Sequence, residues 1–419
     1  AGTEQIIPIF IAGSTESELK AMETLVDLRQ NLDSDWFAKK KRYQELAGLA
    51  EIQIPDAELQ HTFQWIKYNT DWLVRDVPGM GRGFGAGLQD YPWFFGVDSE
   101  YTIQGLIATG RKDLVYSILE LIHNLSEKNN GNGRIIHEVS TNGAVFNPGK
   151  INETPQWAST IWEVYRWTGD RELLEKYFPS IEKGLDWLLR ENDKDGNLLA
   201  DGYGMMEIHG LKSEMIDVAA YSQKAFADAA KMAEILGKTE LSKSYQQTSD
   251  ALAMKINSDF WVQEFGSYAD FIGTVDEALH LIDDAIVRAD TLKKPWAVEE
   301  LKATKAKLST LPKGQKQGFV LFHNWVVNTP METGIADPEK AKIALATAKK
   351  YTNPFGTFVT GIDRDEKAEN EDGSFAGSKS FSYTGAVMTL PTGVSAIGEN
   401  RYGNPDQALD YLKRMTRSF

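Results

Sequence analysis

Short and long connections alternate along this 419-residue chain, and that rhythm limits its fold more than any other feature. Amphipathic spacing predicts helices at about 56–76, 98–109, 112–127, 153–168, 171–191, 213–236, 239–259, 318–333, 338–351, 385–401 and 405–417. Short junctions such as Thr109-Gly110-Arg111, Thr168-Gly169-Asp170, Leu236-Gly237-Lys238 and Tyr402-Gly403-Asn404-Pro405 join a helix-ending glycine to the start of a new helix. Between them run Gly- and aromatic-rich loops at about 77–97, 128–152, 192–212, 260–317 and 352–384. Repeated hairpins of this kind predict an all-α toroid, (α/α)6, with tight turns at one end and long loops building a pocket at the other. A simple bundle or solenoid is the alternative.

The barrel is expected over 53–419, with an inserted helical hairpin at about 276–312, rich in Lys, Glu and Ala. Residues 1–52 read as a strand at Ile6–Ile11 followed by a linker helix pair from about Glu16 to Leu46. The predicted core helices fall one short of six hairpins, and the strand has no partner close in sequence. The expectation is therefore a last helix beyond Phe419 and a β-domain before Ala1, both belonging to the same protein.

A net charge of -15 disfavours nucleic acid and anionic membrane surfaces as partners. With no cysteine there is no thiolate nucleophile or cysteine metal site, and the compartment, secreted, periplasmic or cytoplasmic, stays open. No cofactor or metal motif stands out. Asp193-Lys194-Asp195-Gly196-Asn197 opens like a calcium loop but lacks the downstream bidentate Glu.

The unusual residues fall in the long loops. The first carries Trp93, Phe95 and Asp98: either a sugar platform with an acid for hydroxyls, or an aromatic plug above a helix-capping Asp. The second carries His137, Glu138 and Glu153, the last also suited to a first helical turn. The third, Asp201–Gly210, holds Tyr203, Glu207 and His209 beside Met205 and Met206. A partly apolar setting there is expected to raise the Glu207 carboxyl as a general acid requires, a solvated loop glutamate being the plain alternative. His323, Trp325 and Glu332 repeat the mixture further on.

Four stretches occur in the order seen in a known family: Trp93-Phe94-Phe95-Gly96-Val97-Asp98, Gly133-Arg134-Ile135-Ile136-His137-Glu138, Glu153-Thr154-Pro155-Gln156-Trp157 and Gly204-Met205-Met206-Glu207. They resemble amylo-α-1,6-glucosidase-like proteins, the glucosidase part of glycogen debranching enzymes and their six-hairpin glycosidase relatives. The resemblance implies an inverting glycoside hydrolase, exo-acting on an α-linked glucoside or related sugar, with an oligosaccharide or polysaccharide substrate. It makes Asp98 the acid that holds hydroxyls of the terminal sugar and Glu207 the general acid. Val97 stands where the family commonly has Arg, so strict glucose recognition is open; Glu207 stands where it commonly has Asp, which preserves the chemistry and alters the reach. The relatives' base comes from near their last hairpin, a segment expected beyond Phe419; within this chain Glu332 is the weaker, internal candidate. A phosphorylase, a rhamnosidase- or trehalase-like hydrolase and a non-catalytic carbohydrate-binding toroid are the alternatives on the same scaffold.

Overall fold

The computed structural model describes residues 7–364 and 383–417. Its helices are α1 (Glu18–Gly48), α2 (Ala57–Trp72), α3 (Gly96–Ala108), α4 (Lys112–Asn129), α5 (Glu153–Thr168), α6 (Arg171–Asn192), α7 (Ile216–Ile235), α8 (Thr239–Asp259), α9 (Val275–Thr291), α10 (Pro295–Leu308), α11 (Thr329–Thr333), α12 (Pro338–Ala348), α13 (Thr389–Arg401) and α14 (Pro405–Thr416). Helices α3, α5, α7, α11 and α13 pack each on the next to form the inner ring, while α4, α6, α8, α12 and α14 lie behind them. Helix α14 also packs on α2. The architecture is an (α/α)6 toroid.

Composition explains which helices go inside. Helix α7 is buried on nearly every side, and Ala219, Ala220, Ala225, Ala229, Ala230 and Ala233 let neighbouring backbones approach closely. Helices α4 and α6 bury one stripe, Leu114, Ile118, Leu121 and Leu125 in the first, Leu174, Tyr177, Ile181, Leu185 and Leu188 in the second, as outer helices with a wet face do. Trp157 of α5 is fully buried, with the Tyr177 ring edge-on at 5.6 Å and the His123 ring parallel at 6.4 Å.

Three expectations change. The linker helix pair is one 31-residue helix, α1, held to the barrel where Asp71 of α2 accepts from Arg42 Nη2 at 2.6 Å and from Arg111 Nη2 at 3.4 Å. Ile7, Ile9 and Ile11 are exposed and residues 7–11 form no strand, because no described sheet edge is offered to them; Ile6 lies outside the described residues. The helix expected at 318–333 breaks into a strand at Gln317–Phe319, a 3-10 turn at Trp325–Asn328 and the short α11. There the buried carboxylate of Asp270 captures the backbone N–H groups of Leu321, Phe322 and Asn324, and Pro330 has none to give. The inserted hairpin forms as α9 and α10.

Small sheets fasten the long loops. Asp201–Gly202, Ser213–Met215, Phe271–Gly273 and Gln317–Phe319 lie side by side in one antiparallel sheet, so 203–212 is the loop of a hairpin. Phe94–Phe95, Glu138–Val139 and Val145–Asn147 form a second.

Candidate active site

The loop that carries Glu207 is organised by what flanks it. Met206 and Ile208 turn into the core, so the residue between them turns out, and the Glu207 side chain is 60% exposed. The backbone N–H of Met205 donates to Asp217 Oδ2 at 2.7 Å, and Gln156 Nε2 meets Met205 Sδ at 3.6 Å. Gly204 lies so close to this anchor that a Cβ there would fall 2.5 Å from both Asp217 oxygens.

Glu207 does not stand in the apolar setting expected from its methionine neighbours. Lys150 Nζ donates to its Oε1 at 2.7 Å. Burial alone would push this carboxyl up, but the lysine, with a smaller contribution from His137, pulls it below its ordinary value. Around the same mouth stand Asp98, in the first turn of α3, and His137, whose Nδ1 lies 2.5 Å from Oε1 of the buried Glu153. The other Glu153 oxygen accepts the Lys150 backbone N–H at 2.9 Å. Asp98 keeps solvent access, yet the protein packed around it raises its carboxyl, and it feels the charges of His137, Glu153 and Glu207. Tyr383 closes the group: burial, then the charges of Glu207 and Asp98, push its hydroxyl up to about 12.

Asp98, Glu153 and Asp217 all occupy first turns of inner helices, whose N-terminal ends therefore face the mouth. Asp217 is fully buried; burial raises it to about 6 against the pull of backbone N–H groups. About one helical turn (about 5 Å) deeper, Tyr101 of α3 and Tyr221 of α7 meet hydroxyl to hydroxyl and both donate to Glu332 of α11, Tyr221 at 2.7 Å and Tyr101 at 3.1 Å. Three inner helices thus converge on one carboxylate below the mouth, and burial raises it in spite of the two donors.

Glu100 is a different case: it is 1% exposed and neither of its oxygens has a hydrogen-bond partner among the described residues. Burial first, then Glu153 and Asp98, hold its carboxyl far above the ordinary range, so it keeps its proton in the folded state where the unfolded chain loses it near pH ~4.3. A folded pKa above the unfolded one means stability is present below the unfolded value and lost as pH rises. The Glu100→Gln protein is therefore expected to melt above wild type at pH 8 and level with it at pH 4, checked by thermal melts across that range.

Residues 100–316 match the family model described as the bacterial alpha-L-rhamnosidase 6 hairpin glycosidase domain. The chain belongs to this six-hairpin glycosidase family. A bacterial glucoamylase solved with acarbose superposes with a TM-score of 0.62 at 14% identity, over 96% of this chain and 55% of that one. A GH63 mannosylglycerate hydrolase from Thermus thermophilus, in complex with Tris, superposes with a TM-score of 0.56 at 13% identity, over 82% of this chain and 89% of that one. The glycosidase described here thus spans 55% of the glucoamylase's length. The motif likeness to amylo-α-1,6-glucosidases holds at the level of the six-hairpin glycosidase family.

The remaining sequence candidates of this glycosidase scatter. Phe95 and His137 meet edge to face at 5.6 Å, and Trp93 stacks on Phe146 at 4.8 Å, which leaves Phe146 and Tyr91 as exposed rings of the rim. Glu138 is half-buried in the sheet opposite Phe95. Tyr203 is exposed, with Lys212 Nζ 5.8 Å from its ring. His209 turns away from the mouth: its side chain is 94% exposed and faces Asp284 of α9 at 3.6 Å. His323 stacks on Tyr351 at 4.4 Å, where burial and then the charges of Arg364 and Lys350 lower it to about 4, and Trp325 is buried nearby. These two join a packed cluster with neighbours different from those of Glu207. Asp193 closes its own turn, accepting from the N–H groups of Asn197 and Leu198, while Asp195 pairs with Lys316. The acidic run after Arg364, from Asp365 to Asp372, lies outside the described residues.

Lys150, Tyr383, Tyr101 and Tyr221 were not singled out by sequence reasoning. Tyr101 and Tyr221 look like ordinary helix-packing aromatics, and Lys150 like a loop lysine. One signal was present: Tyr101 lies three residues after Asp98, on the same face of α3.

Proposed function

We propose that this glycosidase is an inverting, exo-acting hydrolase of an α-linked glucoside or a related sugar. Glu207 protonates the leaving oxygen, Asp98 receives hydroxyls of the terminal sugar, and a carboxylate activates the water that attacks the opposite face. The observation that carries the reading is the grouping, at the N-terminal ends of the inner helices, of an outward-facing loop carboxylate with Asp98, His137 and Tyr383. The aromatic rim of Tyr91 and Phe146 supplies ring faces on which a sugar can stack. Among the described residues of this chain, Glu332 is the candidate base, and its two tyrosine donors would keep it oriented while it takes a proton from water.

The anomer released first from an aryl α-glucoside, read by proton NMR before mutarotation, tests inversion: β-product supports it and α-product rejects it. Glu332→Gln tests the base. It is expected to lower kcat by about 100-fold or more, the order a positioned proton acceptor contributes, while leaving KM within a few-fold. An unchanged kcat removes Glu332 from that role.

A further inference from the structure

The contact between Lys150 and Glu207 is built rather than incidental. The lysine's side chain is only 13% exposed while its partner is 60% exposed, so the cation is the fixed member of the pair and the carboxylate leans onto it. Its backbone is held on both sides. Arg134 Nη2 donates to the Gly149 carbonyl, Glu153 Oε2 accepts the Lys150 N–H at 2.9 Å, and the Ile151 N–H donates to the Tyr203 carbonyl at 3.4 Å. Gly149 has φ +139°, and a Cβ there would collide with the Ile135 carbonyl, so the turn that presents Lys150 admits only glycine. Gly202 packs on the Ile151 side chain, which staples the lysine's segment to the hairpin that carries Glu207.

This arrangement is at odds with the chemistry of a proton donor. A carboxylate in an ion pair is favoured without its proton, whereas general acid catalysis needs the proton in place when the glycosidic bond breaks. Resting on the reading of Glu207 as the acid, we propose that Lys150 is its positioning residue: in the free enzyme Lys150 holds Glu207, and a sugar entering the mouth must replace that ion pair before Glu207 can deliver a proton. The other groups that face Glu207 are His137, Asp98 and Tyr383, and none forms a hydrogen bond to it among the described residues. Asp98 and Tyr383 lack the positive charge that would hold it ionised. Binding thereby couples occupancy of the mouth to protonation of the donor, and the free enzyme does not hold a protonated acid poised over bulk water.

The test compares pH profiles of kcat/KM and kcat for wild type, Lys150→Met, Lys150→Arg and Glu207→Gln on a phenyl α-glucoside. The alkaline limb of kcat/KM reports the donor in the free enzyme, and that of kcat reports it in the complex. Removing the cation raises the free donor's pKa, so in Lys150→Met the kcat/KM limb is expected to move up by about 1 pH unit while the kcat limb stays put; an opposite charge close by shifts a carboxyl by about that much, less where solvent screens it. Lys150→Arg keeps the charge and should keep the wild-type limb. If Glu207→Gln is inactive and the kcat/KM limb of Lys150→Met does not move, the positioning role is overturned while Glu207 remains the acid. If Glu207→Gln is as active as wild type, the assignment of the acid itself fails, and this one with it.

Discussion

Replacing Glu207 with Gln is expected to cut turnover of unactivated α-glycosides by about 100- to 10,000-fold, the span that a positioned general acid contributes. The substitution keeps the shape and hydrogen-bonding reach of the side chain and removes only the proton that can be given away. It also exchanges the ion pair with Lys150 for a neutral contact, and because Glu207 is largely exposed the fold should not notice: its melting temperature should match wild type. The loss should depend on the leaving group. A nitrophenolate departs with little help and should lose least, whereas a sugar or alkyl alcohol needs the proton and should lose most. Steady-state rates on a graded series of aryl and alkyl α-glycosides check both points. A uniform loss across the series would assign Glu207 to substrate binding instead.

Replacing Asp270 with Ala should produce the largest loss of stability. Its carboxylate is completely buried and accepts three backbone N–H groups, from Leu321 at 2.7 Å, Phe322 at 2.8 Å and Asn324 at 3.1 Å. Alanine leaves three buried donors without partners, each costing about 1–3 kcal/mol. Against this stands the cost of burying the charge itself, visible in a carboxyl raised to about 6. The net expectation is a loss of about 3–5 kcal/mol, in the range found when one member of a buried polar set is removed. Denaturant unfolding near neutral pH measures it. The same bonds hold His323 at φ 45°, in the left-handed region, so the His323–Tyr351 stack should loosen as well. Asp270→Asn, which keeps one acceptor oxygen, should cost less than the alanine. Equal stability of Asp270→Ala and wild type would mean that the turn from Leu321 to Asn324 is held by its own packing.

Much of the fold is readable from periodicity because an outer helix must bury one stripe and wet the other, so α4 and α6 show their spacing and their ends directly. The inner ring is harder to delimit. Helix α11 lies within a predicted 318–333 helix that the structure breaks, because Asp270, some 50 residues earlier in the sequence, claims the backbone donors such a helix would use. The candidate site divides in the same way. Asp98, His137, Glu153 and Glu207 come from three of the long loops or the helix starts next to them, and the structure groups them at one mouth, since loops on the same side of a hairpin toroid converge there. His209, from the same loop and exposed like Glu207, lies beside Asp284 of α9 instead of at the mouth.

By itself the sequence determined what local chemistry determines: where the outer helices begin and end, that long loops gather on one side, and which of them carry carboxylates and aromatics. Only the tertiary structure decided which charge faces which. Lys150 and Glu207 are 57 residues apart, and Tyr101 and Glu332 are 231 apart. A carboxyl's proton affinity is set by burial and by charges within a few ångströms, and neither is written in the residues next to it. The two methionines before Glu207 suggested an apolar pocket; the fold turned one of them inward and brought a lysine instead.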